Sequence, residues 1–282
     1  TDVDQRAREL AECHASGGRA LVDSMPCDCG RNIKKLAEIS RRSGVHIVAP
    51  TGLHLQKYYD LGHWGQFYSE DMLADLFVAE IEEGVDKYEY KGPIVGRTEY
   101  RAGVIKVASG LDKLSDYEKK LFTVAANTHR RTGAPILTHT EQGTAALEQI
   151  ALFEEQDVDL SHVVLSHTDR FPELTYHREI LSTGVNVEYD SGFRWQVWQG
   201  NPTRDLILAL IEEFPTRIML GMDAARKSYW KSYGGGPGLT WLLNDFTAEL
   251  RERGLTEEQW EGIFVANPAR AYQFAAKQAE RL

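Results

Sequence analysis

The sequence predicts an α/β protein built on a parallel sheet, a (β/α)8 or TIM barrel, and three observations carry that expectation. Short apolar runs ending in a polar residue recur along the 282 residues. Each is followed by a segment with helical periodicity. No stretch rich in Pro, Ser or Gly divides the chain, so residues 1–282 are expected to form a single domain. Near-continuous apolar strands alternating with amphipathic helices are the pattern of a parallel sheet covered on its faces.

The elements follow in order. A helical segment at about 3–15 opens the chain, and its acidic start, TDVDQRARELAE, is no secretory signal. Strands are expected at ALVDS (20–24), HIVAPTG (46–52), GVIKVAS (103–109) and APILTHT (134–140). Three more follow at HVVLSHTD (162–169), VNVEYDS (185–191) and RIMLGMD (217–223). Between them lie helical patterns such as NIKKLAEISRRSG and DYEKKLFTVAANTHRRTG, with Gly44 and Gly133 as helix stops. A barrel of this class has eight strands in about 250 residues. Seven are visible here, so the first strand is expected upstream of Thr1. An open, doubly wound sheet is the competing architecture.

Composition excludes several classes of function. The formal net charge of −10 argues against nucleic acid as a partner, because phosphate backbones call for a basic surface. No run of 18 apolar residues is present, so no membrane partner is expected. The three cysteines, Cys13 and the C-x-C pair Cys27 and Cys29, do not make a disulfide framework, and a reduced, cytoplasmic protein is the expectation. The C-x-C is read as structural or incidental.

The polar ends of the strands carry the chemistry. In a barrel, functional residues sit at the carboxyl ends of the strands. Of nine histidines, His46 and His162 begin strands and His129 and His177 lie in helical patterns, which points to structural or surface roles. His139 and His167 instead end strands in the matching phrases LTHT and LSHT, and Asp223 ends the last in LGMD. Lys106 lies inside VIKVASG, where a bare ammonium would be costly to bury. The spacings are 33 residues from Lys106 to His139, 28 to His167 and 56 to Asp223, consistent with one ring at one barrel mouth. Singly, each has a bland alternative: a hydrogen-bonded core histidine, or an aspartate capping the next helix. Together, two imidazoles and a carboxylate suit zinc or a similar divalent ion. A neutral lysine amine can add carbon dioxide, and the carbamate so formed is a carboxylate able to bridge two metals.

These stretches, with EISRRSGVHIVAPTGLHL (38–55), RAGVIKVASG (101–110), GAPILTHT (133–140), VVLSHTDR (163–170), LGMD (220–223) and VANPARAY (265–272), resemble the phosphotriesterase-like branch of the amidohydrolase superfamily. The resemblance implies a (β/α)8 barrel with two divalent metal ions, zinc first, with manganese or cobalt as the other candidates. Lys106 would be the carbamylated bridge (N6-carboxylysine), His139 and His167 would hold one metal, and Asp223 the other. The family's His-x-His pair at the end of the first strand is absent from the 282 residues, and the expectation is that it lies with the strand upstream of Thr1.

Two bridged metals suit attack of hydroxide on an ester-like centre, with Asp223 as general acid/base. Arg226 and Tyr229, in DAARKSYWKSYGGGPG (223–238), are spaced by three from Asp223 and from each other, as for one side of a helical turn. With Arg194, in DSGFRW, they would suit a phosphate or carboxylate group. The alternative is that the arginines cover Trp195 or Trp230 with their aliphatic stems. The Arg-x-x-Tyr and the GGGPG resemble the family's sugar lactonases, including those acting on phosphorylated lactones. The GGGPG is otherwise read as a turn before a helix near Leu239, with Pro237 at its start. Residues 53–72 form a candidate lid, with His54, Tyr58 and Trp64 as pocket residues or as contacts to a neighbouring subunit. The expected partner is a small-molecule substrate, with a homodimer as one option. Phosphotriester or carboxylester hydrolysis, a Schiff-base aldolase and a non-catalytic vestigial barrel are the rival functions.

Overall fold

The computed structural model describes residues 2–197 and 200–277, with Gln196 and Val197 traced as backbone. All seven expected strands are present: β1 (Ala20–Val22), β2 (His46–Val48) with β3 (Pro50–Gly52), β4 (Val104–Ser109), β5 (Ile136–Thr140), β6 (Val163–Ser166), β7 (Asn186–Tyr189) and β8 (Ile218–Leu220). Strands β3 to β8 form one parallel sheet in chain order, and β1 pairs parallel with β2. The run 46–52 is thus one stave shared by two sheets. It breaks at Ala49, before Pro50, whose nitrogen has no hydrogen to give a ladder. Among the described residues nothing pairs β8 with β1.

Helices α1 (Val3–Ala15), α2 (Ile33–Ser43), α3 (Trp64–Phe67), α4 (Glu70–Glu82), α5 (Asp116–Thr132), α6 (Ala146–Glu155), α7 (Leu174–Ser182) and α8 (Pro202–Leu210) fall between or before the strands. Their ends are written locally. Ser115 and Glu118 close a capping box at the start of α5, and Asn201 caps α8 with a proline at its first turn. Gly44 and Gly133 end α2 and α5 in the left-handed conformation, as expected from the sequence. The helix after GGGPG begins at Thr240, so Pro237 stands in the turn before it rather than at its first position.

Strand alternation divides the side chains into two sets. Ile105, Val107, Ile136, Leu165, Val187 and Ile218 join the core beneath the helices. Val104, Leu137, Val164 and Met219 join Val22, Val48, Ala271 and Tyr272 in a separate interior cluster. Two residues further along the same faces come Lys106, His139 and Ser166, and Glu188 follows Asn186 in the same way on β7. The register agrees, since His139 is opposite Ser166, and Ser166 opposite Glu188. The lysine among apolar neighbours is therefore the interior-facing member of an alternating strand.

A second buried polar group fixes the loops around β3. Arg31, its side chain fully buried, donates to both oxygens of Glu80 at 2.7 Å, to Glu89 at 3.0 Å and to the Pro50 carbonyl at 2.7 Å. The four structural histidines are as expected. His129 and His162 meet the Ala134 and Gln273 carbonyls, His177 meets the Phe171 carbonyl and the Tyr189 hydroxyl, and His46 is exposed at the start of β2.

Candidate active site at the barrel mouth

The residues singled out at the strand ends converge. Lys106 of β4 is buried, and His139 of β5 and His167 just beyond β6 are each 9% exposed. The two imidazole rings meet edge to face with centroids 4.7 Å apart. His167 holds a left-handed backbone (φ 68°), which turns it out of the line of β6. Asp223 lies three residues beyond β8 and shares one carboxylate oxygen between two guanidinium groups. Arg170 donates to that Oδ2 at 2.7 Å and Arg194 at 2.6 Å. Arg194 also donates to the Tyr229 hydroxyl at 2.9 Å and to the Asp223 carbonyl at 3.0 Å.

Electrostatics follow from the depth of the site. Burial lowers the Lys106 amine from 10.5 to about 8, against the opposing pull of Glu188, Asp190 and Asp223. Burial also lowers His139 to about 4, and burial with the charges of Arg170 and Lys106 lowers His167 to about 3. Both imidazoles are therefore neutral at pH 7, the state that can ligate a metal. Burial raises Glu188 to about 8 and Asp190 to about 7. Burial acts upward on Asp223 too, but His167, Arg170 and Arg194 outweigh it and the net shift is down. Hydrogen bonding with His139 leads in lowering Glu141, to about 2.

The remaining candidates divide. His54 is buried, with its ring 5.1 Å from that of His139, and its Nδ1 accepts from the Leu55 amide. Tyr58 stands edge-on to His54 but is 53% exposed. Trp64 packs away from the site, against His63, Tyr68 and Tyr90. Lys57 ties the candidate lid to Glu141 at 3.1 Å, and Lys120 donates to the lid carbonyls of Gly65, Gln66 and Tyr68. The expected helical stack of Asp223, Arg226 and Tyr229 is not made. Residues 221–225 are irregular, Arg226 has an extended backbone and is exposed, and only Lys227–Tyr229 form a short 3-10 turn. Tyr229 meets Arg194 instead. Over the Trp230 ring, at 3.6 Å, lies the guanidinium carbon of Arg6.

Several residues of the site are not among the sequence candidates. Arg170 follows His167 by three in HTDR, and Asp190 Oδ2 lies 2.5 Å from His167 Nδ1. Glu141 lies 3.2 Å from His139 Nε2. Glu188 was legible, since period-two alternation applied to VNVEYDS puts it on the face of Ser166 and Lys106. It also explains the glycine of LGMD: a Cβ on Gly221 would lie 1.6 Å from Glu188 Oε1. Cys27 is buried, with Sγ 3.9 Å from the Glu89 carbonyl, and burial raises Cys29 to about 11. Neither is part of a metal-binding group among the described residues.

Among the described residues no three His, Cys, Asp or Glu side chains converge as a ready cage. The two neutral imidazoles fit a divalent metal ion, as would the buried lysine if carbamylated to an oxygen donor. The Asp223 carboxylate faces its two arginines in this structure.

Similarity to known proteins extends over nearly the whole chain. The model of the phosphotriesterase family matches residues 2–272. A phospho-furanose lactonase of Mycoplasmopsis synoviae is 32% identical over 288 residues, 98% of this chain and 82% of the relative. The crystal structure of an amidohydrolase from Mycoplasma synoviae superposes with a TM-score of 0.94 at 32% identity, covering 98% of this chain and 82% of that one. The phosphotriesterase homology protein of Escherichia coli, solved with phosphate in its active site, gives a TM-score of 0.88 at 29% identity, covering 97% and 90%. The fold is the α/β barrel with parallel strands expected from the sequence.

Proposed function

The chain belongs to the phosphotriesterase family, and from that premise we propose that it is a metal-dependent hydrolase that opens the ring of a sugar lactone bearing a phosphate. The observation that carries the reading is the excess of positive charge around one carboxylate. Arg170 and Arg194 both donate to Asp223 Oδ2, and the Arg194 Nε is buried with no hydrogen-bond partner among the described residues. A buried donor left open, beside the Tyr229 hydroxyl, suits an anionic oxygen of a substrate. The naming of one relative as a phospho-furanose lactonase and the phosphate in the active site of another support the same class.

The chain's own groups divide the work. His139, His167, Lys106 as a carbamate and Asp223 would hold divalent ions, zinc or else manganese or cobalt, which supply Lewis acidity and an activated water. Burial lowers the Lys106 pKa to about 8, which enlarges the share of neutral amine, the form that adds carbon dioxide. Arg170 and Arg194 hold Asp223 ionised and aimed, ready to take a proton from the attacking water and return it to the leaving ring oxygen. Arg194, Tyr229 and Arg226 bind the phosphate. His54 and Tyr58 border the pocket from the lid.

The test is hydrolysis by the purified, metal-supplemented protein of matched sugar lactones with and without a phosphate, with a neutral phosphotriester as the third substrate. The expectation is a kcat/KM about a hundredfold higher for the phosphorylated lactone, the scale of a charge-assisted anion contact. Equal rates on both lactones would remove the phosphate from the reading. Turnover of the triester alone would replace it with phosphotriester hydrolysis. No turnover of any substrate would favour the vestigial barrel.

A further inference from the structure

The loop 223–238 carries Asp223, Arg226 and Tyr229, yet it contains only two single 3-10 turns, Lys227–Tyr229 and Lys231–Tyr233. Backbone bonds from Gly235, Gly236 and Gly238 to the Trp230, Ser228 and Tyr229 carbonyls fold its glycine-rich end onto 228–230, and contacts from outside the loop fix where that turn sits. The main anchor comes from the far end of the chain. Glu9 of α1 is 1% exposed, and its two carboxylate oxygens are used separately. Oε2 accepts from the Ser232 amide at 2.7 Å, and Oε1 from the Leu239 amide at 3.0 Å. The two amides flank residues 233–238, so one carboxylate staples both ends of the glycine-rich turn. Gly238 has φ +82°, and a Cβ there would come within 2.8 Å of Glu9 Oε1. The glycine is thus what lets the carboxylate approach.

One turn earlier on α1, Arg6 lies over the Trp230 ring, and the Trp230 indole donates to the Ala224 carbonyl at 2.7 Å, one residue from Asp223. Tyr229 packs in the same cluster as Leu10, Trp230 and Leu239, and its hydroxyl receives Arg194. A continuous set of contacts therefore runs from the N-terminal helix to the anion-binding side of the mouth. The apolar contacts of Leu10 suffice to dock α1. The carboxylate adds direction, because it accepts from two amides of the loop.

We propose that Glu9 is a positioning residue for the substrate's anionic group: it sets the shape of 223–238 that presents Tyr229 and Arg226, and so tunes specificity without touching substrate. The specificity part rests on the phosphorylated-lactone reading above; the positioning part does not.

The experiment compares wild type, Glu9→Gln and Leu10→Ala. Glutamine keeps the size of the side chain but has one acceptor for two amides, whereas Leu10→Ala thins the apolar docking of α1 and keeps both carboxylate bonds. Amide exchange at Ser232 and Leu239 should quicken about tenfold or more in Glu9→Gln, the scale of one lost charge-assisted hydrogen bond. KM for a phosphorylated lactone, and the dissociation constant of inorganic phosphate, should rise about tenfold, with kcat changed about twofold. Leu10→Ala should lower thermal stability and leave the ratio of KM values for phosphorylated and plain lactone as in wild type. Unchanged exchange at both amides in Glu9→Gln would overturn the proposal. So would quickened exchange with an unchanged KM ratio and phosphate affinity, or a Leu10→Ala variant that shifts the ratio equally. Wild-type protein that neither binds phosphate nor prefers the phosphorylated lactone would overturn the substrate reading, and the exchange data would still decide the role of Glu9.

Discussion

The Nδ1 of His167 lies 2.5 Å from Oδ2 of Asp190, a carboxylate at the end of β7 that is 2% exposed. That contact fixes the ring and, by occupying Nδ1, leaves Nε2 as the nitrogen free to face the barrel mouth. Asp190→Asn would keep the size but can donate to Nδ1, which would put the remaining ring proton on Nε2. The expected outcome is a loss of metal affinity of about 10- to 100-fold with the fold intact. Zinc competition titrations alongside circular dichroism check it; unaltered zinc affinity would separate Asp190 from the site.

Lys106 should carry carbon dioxide. Its pKa is lowered from 10.5 to about 8 by burial, so the reactive neutral amine becomes the majority form only above about pH 8. Incubated with carbon-13 bicarbonate, wild-type protein should show a carbamate carbon signal that forms faster as pH rises through that value. Lys106→Met should show none. A carbamate signal persisting in that variant would place the modification elsewhere.

Glu188 makes the metal-free protein sensitive to base. Burial raises its pKa from 4.5 to about 8, so the folded chain keeps a proton that the unfolded chain has released across that interval. Stability present below about pH 4.5 is therefore lost as pH rises through about 8. Glu188→Gln should raise the Tm of the metal-free protein near pH 8 and change it little near the acid end of the window. A Tm difference independent of pH would contradict the sign.

Asp223→Asn removes the group to which proton transfer is assigned. Turnover should fall about 10²- to 10⁴-fold, the usual share of general acid–base catalysis, while His139 and His167 still bind metal. Steady-state kinetics with metal analysis on the same preparation tests both halves. Wild-type turnover would exclude the acid/base role.

Arg31→Met should destabilise the protein by about 3–5 kcal/mol, because it leaves the buried Glu80 charge without its partner. Urea unfolding of the two proteins measures it. The double variant Arg31→Met with Glu80→Gln should recover part of the loss, which a simple cavity would not.

Much of the site was legible because strand chemistry is local. Alternation alone places Lys106 and His139 on the interior faces of β4 and β5, and Glu188 could have been added by the same rule. Arg170 and Asp190 were not legible as partners of Asp223 and His167. Each is 53 or fewer residues from its contact along the chain, but the contact spans different strands, and no periodicity relates the loops that follow them. The stack assumed for Asp223, Arg226 and Tyr229 failed for a related reason. Spacing by three implies a shared face only where the backbone is helical, and residues 221–225 are irregular.

The sequence by itself determined the seven strands, their order, the helix stops at Gly44 and Gly133, and the residues that face the barrel interior. Those features depend on burial periodicity and on backbone preferences that act within a few residues. Only the tertiary structure decided which charges meet: two arginines on Asp223, a carboxylate behind His167, and Glu9 on a loop 223 residues away. Ionic and hydrogen-bonding contacts between loops depend on how neighbouring strand ends are brought together in space. No local pattern in the chain encodes that proximity.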